Sequence, residues 1–417
     1  MGFPDRLPIP SNVRQIAEKL QAAGFDTWCV GGAIRDNLLG LQNRDFDLTT
    51  AARPGDIQRL FKRTIPISVD HGTVAVLDRH RTPHEVTTFR RDVTTDGRHA
   101  TVEFGASLDE DLARRDFTIN AIAYHPLRHE WRDPFDGAGD LERRVVRAVG
   151  DPTQRFQEDY LRILRGLRFA ARFGFEIEPA TWESAVAKAE GLTHLSAERV
   201  RDEWFKGLAT AQRPSELVVL WEKVGAVGIW LPELERGVRN AERGGLDVVD
   251  RLRPADPVLI TAYLSSAPGQ TLERLRCSNA EIERGTIIGR HVDAWPDPEN
   301  GLGVRRWLST VGPVADDLVK LSEAKGRPLT DAVRREHESG AALEIGQLAV
   351  DGNDLIRAGV PEGPEIGQFL RELLGAVLVD PALNTQQALL AKVATWLEES
   401  TAHRAPRSAD RSPEAQG

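Results

Sequence analysis

The chain has 417 residues and a net charge of −9, with 41% hydrophobic and 28% charged residues. This predicts a globular protein of roughly two to four domains. The sequence has only two cysteines, no signal peptide and no apolar run near the roughly 20 residues of a membrane span. It therefore predicts a cytoplasmic protein without a membrane partner, disulfide framework or zinc–thiolate site. The acidic charge argues weakly against a nucleic-acid partner, although a local basic stripe can dominate an interface.

The first 150 residues alternate between helix and strand patterns. Residues 11–24 predict an amphipathic helix that ends at Gly24, and residues 25–32 (FDTWCVGG) predict a buried strand that runs into two glycines. A short helix follows and ends at Gly40. Three further strand candidates come next in the chain: RDFDLTT (44–50), TVAVLD (73–78) and HEVTTF (84–89).

From about residue 150 the pattern becomes helical and stays helical to about residue 400. Asp151 and Pro152 form a typical helix start, with the aspartate as N-cap and the proline at the first helical position. The segment 402–417 is rich in Pro, Ser, Ala and charge, which predicts a disordered tail. The fold class predicted is α+β, with a mixed head over 1–150 followed by helices.

Asp45 and Asp47 are the sharpest local feature of the head. In a strand, residues two apart point to the same face, so the two carboxylates lie side by side while Phe46 points into the core. Such a pair is stabilised by a cation, and Mg²⁺ is commonly held by one or two carboxylates plus substrate phosphates. The alternative for a bare pair is an exposed edge with two solvated acids.

The surroundings of this pair favour the metal site. Gly31 and Gly32 lie between a strand and a helix start that bears Arg35, a pattern typical of a phosphate site. Glu85, on the strand candidate HEVTTF, faces away from its neighbour Val86 and could complete the metal site. A solvated strand face is the alternative for Glu85.

Residues 158–173 predict one continuous amphipathic helix. The apolar residues gather on one side, Asp159 lies near the border, and an opposite ridge carries Arg162, Arg165, Arg168 and Arg172. Guanidinium groups suit base edges and phosphates because they are rigid, multi-donor groups. A solvated basic face is the alternative. Gly166, within this helix, is interpreted as tolerated drift rather than as a close contact.

Five segments in order resemble the motifs of class II tRNA nucleotidyltransferases (CCA-adding enzymes) and the related bacterial poly(A) polymerases. They are VGGAIRDNLLGLQNRDFDLTT (30–50), DLARRDFTINAIAY (111–124), DPFDGAGDL (133–141), EDYLRILRGLRFAARFGF (158–175) and LSAERVRDEW (195–204). The resemblance implies a polymerase-β-like nucleotidyltransferase head, a small mixed sheet with helices, followed by an all-helical neck, body and tail. It implies these ranges: 1–150 catalytic head, 151–212 neck for base recognition, 213–401 body and tail for tRNA binding, and 402–417 disordered tail.

The same resemblance implies roles for the motif residues. Asp45 and Asp47 would hold Mg²⁺, with Glu85 as a third catalytic acid. The nucleotide-binding set would comprise Gly31, Gly32, Arg35, Arg115, Asp116, Asn120, Asp159, Arg162, Arg165 and Arg168. Within it, Asp159 and Arg162 would pair with the Watson–Crick edge of the incoming base. An aspartate accepts from an exocyclic amine, which cytosine and adenine carry and uracil lacks.

The product of the implied reaction is left with alternatives. The implied partners are tRNA, CTP and ATP, with pyrophosphate released in a two-metal nucleotidyl transfer, and the oligomeric state is open. Residues 90–107 correspond to the loop that lets the family switch from C to A, and their near-full length disfavours CC-only addition. Full CCA addition and A-only addition stay open. ISVDHGTVAV (67–76) resembles the tRNA enzymes more than the poly(A) polymerases, and a non-catalytic RNA-binding homologue is the last alternative.

Overall fold

The fold is described by a computed structural model that covers residues 2–95, 100–234 and 244–404. The chain divides into two compact units, Met1–Gly285 and Thr286–Gly417. In the described ranges, none of the helices is both long and apolar enough to cross a membrane. The predicted α+β class is confirmed, since a mixed sheet with helices is followed by helices in chain order.

The head is built on a mixed sheet of seven strands among the described residues. Their order is β3-β4-β5-β2-β1-β8-β9, and β2 runs parallel to β5 while the other neighbours are antiparallel. The sheet strands are β1 (Thr27–Val30), β2 (Asp47–Thr50), β3 (Thr64–Ser68), β4 (Thr73–Leu77), β5 (Pro83–Thr88), β8 (Ala123–Tyr124) and β9 (Trp131–Arg132). Two small ribbons are formed by β6 (Arg90–Thr95) with β7 (Ala100–Phe104) and by β10 (Val145–Val146) with β11 (Glu176–Ile177).

The register of the central strands explains why the predicted acids and glycines meet. Because β1 and β2 are antiparallel with Val30 opposite Asp47, the end of β1 coincides with the start of β2. The glycines that follow Val30 therefore lie beside Asp47. Phe46 is buried, whereas Asp45 and Asp47 are exposed, so the predicted alternation of faces is confirmed even though β2 begins only at Asp47.

Helices surround this sheet and continue along the first unit. They are α1 (Ser11–Ala22), α2 (Gly32–Leu38), α3 (Pro54–Leu60), α4 (Leu108–Ala113), α5 (Gly137–Arg143), α6 (Pro152–Glu158), α7 (Leu161–Phe173), α8 (Pro179–Ala187), α9 (Ala197–Thr210), α10 (Pro214–Lys223), α11 (Ala226–Trp230), α12 (Gly244–Arg251), α13 (Pro257–Leu264) and α14 (Pro268–Arg274). Short 3₁₀ turns lie at Val69–His71, Thr118–Asn120 and Ala189–His194. The predicted start of α6 is confirmed, since Asp151 accepts from the amides of Thr153 and Gln154.

The prediction of one continuous helix over 158–173 is wrong at its start. The chain leaves the helical conformation at Asp159, where φ is −157° and ψ is 105°, and α7 begins at Leu161. The Asp159 carboxylate accepts from the Leu161 amide at 3.0 Å, and its carbonyl accepts from the Arg162 amide. Aspartate competes in this way with helix continuation and favours helix starts. Asp159 therefore stands at a junction rather than on the border of a helix face.

The second unit is helical among its described residues. Helix α15 (Asn279–His291) spans the boundary between the units, and the later helices are α16 (Gly301–Val311), α17 (Ala315–Ala324), α18 (Thr330–Glu338), α19 (Gly352–Arg357), α20 (Pro364–Val379) and α21 (Gln386–Arg404), with 3₁₀ turns at Gly312–Val314, Ile345–Gln347 and Pro381–Leu383. The core of this unit includes Leu355, Leu373, Leu389 and Val393.

Two predicted segments fall partly outside the described residues. The predicted disordered tail begins at 402, but residues 402–404 belong to α21, and 405–417 lie outside the described residues. Residues 90–107 were predicted to correspond to the loop that lets the family switch from C to A. In this segment β6 and β7 pair in antiparallel fashion, and residues 96–99 lie outside the described residues.

Candidate active site

A pocket of about 510 Å³ brings most of the predicted site residues together. It is formed by the glycine turn after β1, the start of β2, the segment 114–120 and the polar side of α7. The lining consists of Gly31, Gly32, Arg35, Asp47, Arg114, Arg115, Asp116, Asn120, Asp159, Leu161, Arg162, Arg165, Arg168, Phe169, Arg172 and Arg199. Residues that are far apart in sequence thus converge on one cavity.

Asp45 and Glu85 lie outside this lining but close enough to act on Asp47. Burial among protein atoms, together with the charges of Glu85 and Asp45, raises the pKa of Asp47 from 3.8 to about 6, and the charge of Arg115 opposes the shift. Glu85 is exposed on β5, and the parallel register of Leu48 with Val86 makes it the neighbour of Asp47 across the strands. Two acids whose charges raise the pKa of a third form, together with it, a donor set suited to a cation.

The Gly31 backbone fits tightly against this acid. Gly31 has a φ of 80°, in the left-handed region, and begins helix α2 as its N-cap. A Cβ placed on Gly31 would lie 3.4 Å from Arg115 Nη1 and 3.6 Å from Asp47 Oδ2. The missing side chain therefore leaves room between an acid and a cation, where the backbone could approach a phosphate.

A chain of hydrogen bonds along the wall of the pocket joins the head to α7. Arg35 is 3% exposed; its Nη1 donates to Asn120 Oδ1 at 2.5 Å, and its Nε and Nη2 donate to Asp36. Asn120 in turn donates to Asp116, which accepts from Arg165 Nε at 2.7 Å. Burial alone would raise the pKa of Asp116, but Arg165 and the donors around it lower this pKa to about 2.

Three arginines, one from α2 and two from α7, gather around an aromatic ring. The guanidinium carbons of Arg35, Arg165 and Arg168 lie 4.9, 5.5 and 4.3 Å from the centre of the Phe169 ring. Cation–π contact and the apolar ring hold these groups without neutralising them. The predicted division of the helix faces is confirmed, because Ile163, Leu164 and Leu167, among others, are buried on the other side.

The two residues predicted to read the base are both held by protein contacts. Arg162 Nη1 donates to Glu158 at 2.7 Å and to the Arg155 carbonyl, and its Nη2 donates to the Arg114 carbonyl at 3.1 Å. Asp159 accepts from the Leu161 amide and from Arg199 Nη2, the latter at 2.7 Å. Arg162 keeps its Nε and part of its Nη2 capacity for other acceptors.

Phe169 and Arg199 were missed as site residues by the sequence reasoning. Phe169 falls on the arginine side of α7, where an apolar residue breaks the pattern; that break was the available signal. Arg199 lies on α9, 40 positions from its partner Asp159, and nothing in its local pattern separates it from Arg201. Arg199 can therefore be identified only from its tertiary contact with Asp159.

A larger cavity of about 970 Å³ lies elsewhere in the first unit. Helix α7 contributes Ala170 and Ala171 to it, from the side that does not carry the arginines. None of the predicted site residues lines it, and we place the chemistry in the smaller pocket because the charged groups converge there.

Comparisons with known proteins agree with this geometry. Residues 27–147 match the family model described as poly A polymerase head domain, and residues 174–237 match the one described as probable RNA and SrmB-binding site of polymerase A. The CCA-adding enzyme of Limosilactobacillus fermentum is 34% identical over 406 residues, covering 90% of this chain and 94% of that protein. The chain belongs to the CCA-adding enzyme family.

Other relatives support this membership, and the predicted family is confirmed. The CCA-adding enzyme of Lacticaseibacillus paracasei is 36% identical over 385 residues, covering 90% of this chain and 94% of that protein. The crystal structure of the Bacillus stearothermophilus CCA-adding enzyme in complex with CTP is similar with a TM-score of 0.80, 30% identity, and coverage of 95% of this chain and 100% of that one. The Thermotoga maritima CCA-adding enzyme complexed with tRNA shares the fold, with a TM-score of 0.65 and 20% identity over 92% of this chain and 94% of that one. As a member of the CCA-adding family, the chain is a tRNA nucleotidyltransferase.

Proposed function

We propose that this protein adds C, C and A in turn to the 3′ end of tRNA, taking CTP and ATP as substrates in the cytoplasm. The observation that carries the proposal is the pocket in which the Gly31–Gly32 turn, Asp47 and the arginines of α7 face one cavity. A-only addition is the alternative within the family, ahead of poly(A) synthesis. Residues 213–401 would hold the tRNA, and 1–150 and 151–212 would form the catalytic and base-recognition parts.

In the proposed reaction the 3′-hydroxyl oxygen of the tRNA bonds to the α-phosphorus and its proton passes to water. The bond from that phosphorus to the oxygen that bridges the α- and β-phosphates breaks. Pyrophosphate leaves with the electron pair of that bond. Gly31 and Gly32 give the triphosphate close access to the backbone, and Arg115 and Arg165 bring positive charge to it. This protein's contribution is positioning and electrostatic stabilisation, and no nucleophilic side chain is required.

The family uses a divalent cation, and we assign Mg²⁺ to Asp45 and Asp47, with Glu85 as the third acid. The raised pKa of Asp47 fits a site whose acids need a compensating positive charge. Over the ranges that the structure covers, no three His, Cys, Asp or Glu side chains form a ready metal cage. The phosphates and water are expected to complete the ligand set. The bound ion supplies acidification of the attacking hydroxyl and neutralisation of charge on the transferring group.

Replacing Asp47 by Ala tests the catalytic assignment. We expect nucleotide incorporation to fall below detection while the melting temperature stays near that of the wild type, because Asp47 is exposed. Asp45→Ala should behave in the same way. Asp70→Ala, at an exposed aspartate outside the pocket lining, is the matched control and should keep wild-type incorporation. Near-normal turnover in either site variant would refute the assignment.

Product length distinguishes full addition from its alternatives. The protein is incubated with Mg²⁺ and with tRNA that ends at the discriminator base or in CC, with CTP and ATP supplied separately and together. Full addition extends the first substrate by three nucleotides and the second by one. Extension of only the CC-ended tRNA would identify A-only addition, and long ladders with ATP alone would identify poly(A) synthesis. No extension under any condition would leave a non-catalytic homologue.

A further inference from the structure

Helix α9 carries two charged side chains that form ion pairs with oppositely charged residues of the pocket. Arg199 and Glu203 are four positions apart, so they lie on one face of α9, and both reach side chains that line the cavity. Arg199 Nη2 donates to Asp159 Oδ2 at 2.7 Å. Glu203 Oε2 accepts from Arg168 Nε at 2.5 Å. Arg199 of α9 is thus paired with Asp159 of the pocket, and Glu203 of α9 is paired with Arg168.

The contact with Arg199 completes the fixation of Asp159. The other carboxylate oxygen, Oδ1, already accepts from the Leu161 amide at 3.0 Å. A carboxylate offers about four acceptor positions, so one bond on each oxygen leaves about two for a ligand. Rotation of the group would break at least one of the two bonds. The structure therefore fixes which lone pairs of Asp159 face the cavity.

This orientation matters for the choice of base. The exocyclic amines of cytosine and adenine are donors, whereas uracil presents a carbonyl oxygen at the position equivalent to the cytosine amine. A carboxylate that is held in one orientation accepts a hydrogen bond from the amine and repels the carbonyl oxygen of uracil. A carboxylate that is free to turn away would reduce both effects, because the repelled base could be accommodated.

We propose that Arg199 is the positioning residue for base selection, acting by orienting Asp159 and not by touching the substrate. The inference rests on the proposed function, in which Asp159 contacts the incoming base. Arg199 is about one-third exposed, and its partner Asp159 is less exposed, so the pair lies at the rim of the pocket. Loss of the guanidinium is expected to change the discrimination between bases more than the overall rate.

Glu203 provides a contrast on the same helix. It is buried, holds Arg168, and lies 4.0 Å from Arg165 Nη1 through its other oxygen. Both arginines cover the Phe169 ring, and Arg165 is one of the two arginines that we assign to the triphosphate. Glu203→Gln is therefore expected to raise KM for all nucleotides alike, because every substrate carries the same triphosphate.

The test compares Arg199→Gln and Arg199→Lys with Arg201→Gln. Arg201 contacts Asp202 and the Arg276 carbonyl and is absent from the pocket lining, which makes it the matched control. The measured quantity is kcat/KM for CTP and for UTP on the same tRNA. We expect Arg199→Gln to lower the preference for CTP about tenfold, the loss typical of one charged hydrogen bond. Arg199→Lys should retain part of the preference, and Arg201→Gln should retain all of it.

Each other result has a defined meaning. Equal losses for CTP and UTP in Arg199→Gln would overturn the inference in favour of a purely structural role. A rise in KM for tRNA with an unchanged CTP preference would overturn it in favour of an RNA contact. If Arg199→Gln does not fold, an unchanged preference in Arg199→Lys overturns it. If the wild type extends no tRNA, the proposed function fails, and equilibrium binding of CTP and UTP to both proteins then decides the role of Arg199.

Discussion

Asp116 links the head to α7 through hydrogen bonds and an ion pair. It accepts from Asn120 and from Arg165, and its side chain is almost fully buried. Because these donors outweigh the effect of burial, the pKa of Asp116 falls from 3.8 to about 2. Ionised Asp116 therefore stabilises the fold.

The pH dependence of stability follows from the sign of this shift. A lowered folded-state pKa means that the stabilisation is present above about pH 4 and is lost as the pH falls towards 2. Between pH 6 and pH 3 we expect the wild-type free energy of unfolding to fall by about 1 kcal/mol more than that of Asp116→Asn. Denaturant unfolding of the first unit at both pH values measures this difference. Asp70→Asn, at an exposed site, should lose as much free energy of unfolding between pH 6 and pH 3 as the wild type does. An equal loss in the wild type, Asp116→Asn and Asp70→Asn would contradict the expectation.

Single residues could be predicted from the sequence where a local motif carried them. Gly31, Asp47, Asp116 and Arg165 stand in such motifs, and the structure brings them to one pocket, although their roles stay predictions. The engagement of Arg162 by main-chain carbonyls could not be predicted. Those contacts depend on how the turn at 113–116 packs against α6 and α7, which no local pattern encodes.

At the scale of elements, the break between α6 and α7 creates the site. It turns the chain so that Asp159 leaves the helix surface and lies between Leu161 and Arg199. Periodicity alone predicted an unbroken helix, because the apolar spacing continues through the junction. The aspartate that competes for the first amide of α7 was the physical signal against continuity.

Close packing of α7 against the head gives Gly166 a role that the drift interpretation missed. A Cβ at Gly166 would lie 2.9 Å from Phe117 Cζ, and the Phe117 ring is fully buried. In a helix, Ala for Gly would ordinarily gain about 1 kcal/mol, but overpacking a core contact costs about 1–3 kcal/mol. Gly166 is therefore explained by close approach and not by drift.

We expect Gly166→Ala to destabilise the first unit by about 1 kcal/mol net, since overpacking outweighs helix propensity. Calorimetry of the wild type and the variant measures the shift of the melting transition. Gly375→Ala is the control, because Gly375 is exposed within α20 and a Cβ there meets nothing within 4 Å. Gly375→Ala should raise the melting temperature of the second unit, to which α20 belongs. A higher melting temperature in Gly166→Ala would show that the Phe117 ring yields without cost.

For the whole molecule, the change from strands to helices near residue 150 was predictable, whereas the extent of the compact unit was not. The first unit runs to residue 285. Ion pairs from Arg165 to Asp116 and from Arg172 to Asp36 join α7 to the head. Sequence composition reports secondary structure, but compactness depends on such distant pairs, so a change of pattern need not mark the end of a unit.

Net charge was a poor guide at the same scale. The value of −9 argued weakly against a nucleic-acid partner, yet the chain belongs to a family of tRNA enzymes. The physical reason is that the net charge averages over the whole chain, whereas one cavity is lined by eight arginines and three aspartates. Only the local field acts on a bound anion at close range.

The arginine-lined pocket also has a consequence for the by-product of synthesis. Its lining contains eight arginines and three aspartates, so that positively charged side chains outnumber negatively charged ones there. If these groups attract the triphosphate, as we propose, they would also retain the diphosphate fragment that is cut from it. We therefore expect departure of that fragment to slow each cycle, and free diphosphate in solution to compete with fresh nucleotide. Turnover in the cell would then depend on how quickly this waste anion is hydrolysed elsewhere.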